Sequence, residues 1–305
     1  MYIGESLESP GNTASKKRCH VKSHDDYATS WKQTGVTPLG IGNRIRWFLR
    51  NTILTTLAAL KTSGQSTFLT SMYCHYVFDD QIPEFEALIV ELMKIGTFVN
   101  TDVCVDMLKG TKPLDGRYFH LSFDDGFRNV ANNAIPVLKK YGIPAIVFVP
   151  TSFVGADLET TRKYCLDIAQ YSTTIEMLRW QDLEKLLLLG FEVGSHTKTH
   201  ARFSSISGDP DFMYEEIAGS KQEIEEKLGI ECKYISWPYG KKADSDETSL
   251  SMVEKVGYEA CFGAFRGSIV PRTTNAFAIP RHHFEVQWPT AHIRYFLGAK
   301  LRQAT

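Results

Sequence analysis

From about residue 70 onward, apolar residues in this chain follow two rhythms that alternate. Short, nearly unbroken apolar runs read as strands: "TSMYCHYVF", "YFHLSF", "IPAIVFVP", "FEVGS", "CKYISWP" and "YEACFGA". A run such as "IPAIVFVP", apolar at consecutive positions, suits a parallel sheet buried on both faces. Between the runs lie segments whose apolar residues fall three and four apart, the helical spacing. "IPEFEALIVELMKIG" repeats at Phe85, Leu88, Leu92 and Ile95, and "PDFMYEEIAGSKQEIEEKLG" at Met213, Ile217, Ile224 and Leu228. "NNAIPVLKKYG", "WQDLEKLLLLG" and "SLSMVEKVG" complete the series. Gly96, Gly142 and Gly190 stand where C-terminal helix caps are expected. Repeated strand–helix units predict one parallel α/β domain, either a closed barrel or an open doubly wound sheet.

Residues 1–40 lack this rhythm; rich in Ser, Thr, Lys, Gly and His, they read as an extended polar arm. A helical segment is expected over 41–68, and the α/β domain over 69–300. Within the helical segment, "WFLRNTILTTLAAL" is too short and too polar to span a bilayer. The arm has none of the apolar core that an export signal needs, which predicts a cytoplasmic protein, at most peripheral to the inner face of the membrane. With 305 residues and 43% hydrophobic content, a sizeable core is available. A net charge of −1 gives no basis for nucleic-acid binding. Six cysteines without a Cys-x-x-Cys pair signal neither a disulfide framework nor a zinc knuckle. Oligomeric state is not legible.

Three acidic pairs compete as chemistry: Asp25-Asp26 in the arm, Asp79-Asp80, and Asp124-Asp125 in "SFDDG". The last closes an apolar strand just before a turn at Gly126, and the carboxyl ends of strands are where parallel α/β folds build their sites. "FEVGSHTKTH" places His196 and His200 after another strand, on the same rim. One carboxylate and two imidazoles leave coordination positions open, the pattern of a catalytic rather than a structural metal. A thermolysin-type His-Glu-x-x-His is excluded, because Thr197 occupies the Glu position.

"SFDDG", "HTKTH" and, in part, "SWPYG" resemble the first three motifs of the polysaccharide deacetylases, the NodB-homology fold or carbohydrate esterase family four. The resemblance extends over about residues 70–290 and includes the "PAIVFVPTSFVG" segment. It implies a single distorted (β/α) barrel of about seven strands with an irregular N-terminal extension. It further implies one divalent metal ion, zinc first and cobalt or another divalent ion as alternatives, held by Asp125, His196 and His200. Asp124 would be the general base toward a water activated by that ion. Thr197 would hydrogen-bond within the histidine loop beside the substrate, and Tyr239 would offer its backbone N–H to the oxyanion. The substrate implied is an N-acetylated sugar, nucleotide-, lipid- or polymer-linked, which loses acetate during surface-polysaccharide or lipopolysaccharide biosynthesis. Trp237 and Tyr239, next to this chemistry, are candidates to stack on the sugar.

The chain departs from the family pattern in three places. Ser236 stands where the third motif has Arg, the fourth motif is missing, and "IPRHHFE" stands near the place of the fifth. Arg281 is the expected replacement for the lost Arg, and His282 or His283 the expected general acid. Arg281 and His283 share one face of an extended strand, which favours His283. His75, at another strand end, could line the cleft, but packing is the expected outcome. Two other readings stay open. The same fold could hydrolyse another C–N amide bond, in a formyl group or a cyclic amide. A catalytically reduced glycan-binding protein is the other, against which stands the intact Asp/His/His set.

Overall fold

The computed structural model describes residues 26–35, 67–290 and 293. Its eight strands among these residues are β1 (Phe68–Cys74), β2 (Thr97–Val99), β3 (Arg117–Phe123), β4 (Ile146–Val149), β5 (Glu192–Ser195), β6 (Tyr234–Ser236), β7 (Ala260–Phe262) and β8 (Arg281–His283). Every strand pair is parallel, in the order β7-β6-β5-β4-β3-β1-β8. The short β2 shares one edge of β3 with β4: Thr97–Val99 lie opposite Tyr118–His120, and Ile146 and Val147 opposite Ser122 and Phe123. The ends of this path nearly meet. Ile279, just ahead of β8, donates its N–H to the Cys261 carbonyl and accepts from the Gly263 N–H, both at 2.9 Å. The result is a seven-stranded parallel barrel, nearly closed, with β2 as a side strand.

Strand burial follows from helices outside and side chains inside. β1 and β4 are buried at every position. Phe262 of β7 stacks on His120 of β3 at 5.2 Å between ring centroids. Those strands are not neighbours, so the contact crosses the barrel interior. His120 is fully buried between Ser71 Oγ (2.7 Å) and Thr101 Oγ1 (3.1 Å). Burial, with a smaller push from Arg281, lowers its pKa to about 3, which makes it a neutral core imidazole.

The helices fall largely where the spacing places them, at Ile82–Met93, Ile135–Lys140, Trp180–Leu188, Ser220–Leu228 and Glu247–Lys255. Gly142 and Gly190 follow their helices in the left-handed region, at φ 64° and 84°. Gly96 does not. The helix before it ends at Lys94 without a left-handed residue. Its small size serves a close approach instead, since a Cβ there would sit 2.6 Å from the Arg117 carbonyl oxygen. Gly96→Ala is therefore expected to destabilise by about 1–3 kcal/mol, the usual cost of overpacking a tight contact. Urea unfolding measures this.

Three elements carry no strong pattern of their own: β2, the helix Thr101–Lys109, and the helix Leu158–Lys163 that runs into a π-helical turn at Tyr164–Ile168. Residues 26–35, expected as part of an extended arm, are packed onto the domain. Trp31 stacks on Tyr76 at 6.0 Å, and Asp80 accepts from the Trp31 N–H at 2.7 Å. Asp79 accepts from Asn133 Nδ2 at 2.9 Å. The second Phe-Asp-Asp sequence thus anchors a segment and a helix. The rest of the arm and nearly all of the expected 41–68 helical segment lie outside the described residues. No helix among the described residues is long and apolar enough to cross a membrane.

Candidate active site

β3 ends at Phe123, and the alternation of side chains ends with it. Asp125 and Gly126 both take left-handed backbone, at φ 68° and 67°. That pair of residues turns the chain sharply, so adjacent carboxylates that a straight strand would point apart both enter the barrel mouth. The histidine loop uses the same device at Thr197 and His200, both at φ 64°, and the loop after β6 uses it at Tyr239, φ 62°. Four of the six non-glycine residues with positive φ among those described are thus gathered around one mouth. Strain of this kind, on the order of 1–3 kcal/mol each, persists only where the surroundings over-determine it, and it clusters at functional sites.

Asp125 Oδ1 lies 3.3 Å from His196 Nε2 and 3.2 Å from His200 Nε2, with all three residues buried. His196 Nδ1 is 2.7 Å from the Ser236 carbonyl, an acceptor, so Nδ1 carries the proton and donates. A neutral ring held this way turns its Nε2 lone pair toward a carboxylate oxygen, and the two repel unless a cation lies between them. The donor set fits a divalent metal ion: two imidazole nitrogens and one carboxylate oxygen, with positions left for ligand. Burial pushes His196 down, but the charges of Asp124 and Asp125 outweigh it and hold the ring above its usual pKa. Burial wins at His200, whose pKa is lowered.

Asp124 has a different partner. Arg281, on the strand that closes the barrel, donates Nη1 to Oδ1 and Nη2 to Oδ2, each at 2.7 Å, a two-pronged pair. The guanidinium is fully buried and fixed on all sides. It also donates to the Gly263 carbonyl (2.7 Å), Ser122 Oγ (3.0 Å) and Ser236 Oγ (2.6 Å), and it lies 4.4 Å over the Tyr73 ring. Ser236 therefore leaves room for this guanidinium and receives its hydrogen bond. Burial pushes the Asp124 carboxyl up, but Arg281, helped by His196 and His75, outweighs it and holds the carboxyl below the usual carboxylate range.

The remaining expected residues divide. His282 turns away from the mouth, with Nε2 3.1 Å from the Gly267 carbonyl. His283 faces it, among the rings of Tyr73, His75 and Trp288. The Tyr239 ring lies against His200 at 5.0 Å under the Arg202 guanidinium. Trp237 is only 1% exposed and its face is covered by Phe265, so it is a core residue and not a sugar platform. Thr197 is also buried; it accepts from the His200 N–H at 3.1 Å and shapes the histidine loop.

Sequence reasoning missed two tyrosines. Tyr164 donates to Asp125 Oδ1 at 2.9 Å, and Tyr171 donates to Asp125 Oδ2 through a short hydrogen bond. It also sent His75 to the core, whereas the ring lies at the mouth, 5.2 Å from His283 and 6.1 Å from Tyr171. Glu285, likewise unremarked, places Oε1 3.0 Å from His283 Nε2.

A profile of the polysaccharide deacetylase family matches residues 111–261, which span the Asp pair and the histidine loop. This chain belongs to the polysaccharide deacetylase family. Among sequence relatives of this deacetylase-family chain, YxkH of Bacillus subtilis is 28% identical over 139 residues, 46% of this chain and 42% of its own length. The poly-beta-1,6-N-acetyl-D-glucosamine N-deacetylase of Staphylococcus aureus is 24% identical over 168 residues, 53% of this chain and 52% of its own length. The chain thus spans about half the length of these curated relatives. Among solved structures, IcaB from Ammonifex degensii superposes with a TM-score of 0.64 at 24% identity, over 77% of this chain and 98% of that one. The Streptococcus pyogenes deacetylase PplD gives 0.61 at 16%, over 75% and 97%. Both share the deacetylase barrel.

Proposed function

We propose that this chain is a metal-dependent N-deacetylase that hydrolyses the acetamido group of an N-acetylated sugar, with a glucosamine polymer as the substrate class to test first. The observation that carries the reading is the convergence of Asp125, His196 and His200 beside a second carboxylate already paired to Arg281. Asp125, His196 and His200 would hold the metal. Bound there, a divalent ion would acidify water and polarise the acetamide carbonyl. Tyr164 and Tyr171 would fix the Asp125 carboxylate, and the Ser236 carbonyl would fix the His196 ring.

Asp124 is the base. Arg281 keeps it ionised, so it accepts a proton at neutral pH, and the two-pronged pair fixes its oxygens while it does so. The departing amine needs a proton. His283 is assigned that role because it faces the mouth, among the rings of Tyr73, His75 and Trp288. A second reading gives the role to His75, whose ring lies at the same mouth; burial lowers its pKa, with the charge of Asp125 opposing. Alanine at each position separately separates the two: the true donor loses turnover with little change in KM.

The test of the whole reading is acetate release from N-acetylglucosamine oligomers, with and without chelator. Release that chelator abolishes and zinc restores is expected. Hydrolysis of formamides or cyclic amides instead would move the chemistry to another C–N bond. Tyr171→Phe, which frees one oxygen of Asp125, is expected to weaken metal affinity about 10- to 100-fold, the usual cost of removing a hydrogen bond to a metal ligand. Metal competition titration measures it.

A further inference from the structure

A second set of donors stands at the barrel mouth. His75, His283 and Glu285 each place one ligand atom so that all three lie within 4.8 Å of one another. They come from the loop after β1 and from β8 with the residues just beyond it, strands paired in register at Tyr73 and His283. Like the first set, this one consists of two imidazoles and one carboxylate.

The atoms also meet in the same manner. His283 Nε2 and Glu285 Oε1 are 3.0 Å apart, yet without the alignment of a hydrogen bond. In the first set the corresponding separations are 3.2 and 3.3 Å. Two donors bound to one zinc ion lie about 3.3 Å apart, given tetrahedral geometry and bonds of about 2.0–2.1 Å. His283 and Glu285 already meet that spacing, and a ring nitrogen of His75 lies within 4.8 Å of both. The side chains of His283 and Glu285 are 28% and 20% exposed, so an ion can enter from solvent.

We propose that His75, His283 and Glu285 form a second cation site that takes one zinc-like ion. The nitrogen-rich donor set selects zinc, cobalt or nickel over magnesium and calcium. Three half-exposed ligands bind more weakly than the buried Asp125 set. Occupancy engages both imidazoles at the mouth. On the reading given under Proposed function, excess metal therefore inhibits the enzyme by withdrawing its proton donors.

Metal content after equilibration with saturating zinc tests the site without reference to turnover. The native chain should bind two equivalents, and Asp125→Asn should keep one. Glu285→Gln and His75→Ala should each lose the weaker equivalent. Native crystals soaked in zinc should give an anomalous peak between His283 Nε2 and Glu285 Oε1, which removes any dependence on how the variants fold. A single equivalent in the native chain, a second equivalent persisting in either variant, or a second peak elsewhere overturns the proposal. If acetate release fails while two equivalents bind, the functional reading falls and the site stands.

Discussion

Asp125→Asn is expected to reduce chelator-sensitive acetate release by about three orders of magnitude or more. One oxygen of Asp125 serves both histidines, so the substitution keeps the shape but removes the charge that joins the three donors. A metal ion contributes several kcal/mol to such hydrolyses, and each ~1.4 kcal/mol is a factor of ten in rate. Metal content should fall together with activity. Full turnover with a full complement of metal in the variant would refute the assignment.

Arg281→Ala is expected to cost about 3–5 kcal/mol of stability, the range for leaving one partner of a buried ion pair uncompensated. The buried carboxylate of Asp124 loses both prongs of its partner. The pH dependence follows from the direction of the shift. In the native chain Asp124 titrates below its unfolded value, so the pair contributes stability at neutral pH that is lost as pH falls through the folded pKa. In the variant the lowering by Arg281 is lost, only His196 and His75 remain to oppose burial, and that pKa rises. The stability gap between native and variant should therefore be widest at neutral pH and narrow on acidification, as Asp124 takes up a proton. Adding Asp124→Asn to Arg281→Ala should recover part of the lost stability and none of the activity, a coupling that a double-mutant cycle reads directly. Arg281→Lys keeps the charge but not the fork, and should fall between. Equal destabilisation across pH would mean that Arg281 acts only by filling space.

Much of the fold was legible because a parallel barrel writes itself locally. Strands buried on both faces leave continuous apolar runs such as Ile146–Val149, and the long helices leave a stripe such as Phe85, Leu88 and Leu92. Asp124-Asp125 and the His196/His200 spacing stood out for a related reason: the turn and loop that aim them are each built from a few consecutive residues. Arg281 was found only through a gap, since Ser236 left a charge to be replaced and strand alternation pointed to one candidate. What stayed hidden depends on contacts between distant segments. Tyr164 and Tyr171 reach Asp125 from a π-helical turn and the loop after it, and nothing in "KYCLDIAQY" announces that. His75 read as core because "YCHYVF" is apolar on either side; its ring reaches the mouth because β1 stops at Cys74. Trp237 failed in the opposite sense. Its neighbourhood in sequence promised a platform, and packing on Phe265 removed its face from reach.

The guanidinium that orients Asp124 is carried by the strand that closes the barrel, and this orders the chain's maturation. Asp124, Asp125, His196 and His200 all leave the ribosome while Arg281 is still to be made. Until β8 docks, Asp124 has no guanidinium to anchor it, so on the proposed reading a nascent chain would hold the three metal ligands without a positioned base. On that reading, docking of β8 and the onset of hydrolytic competence would be one event.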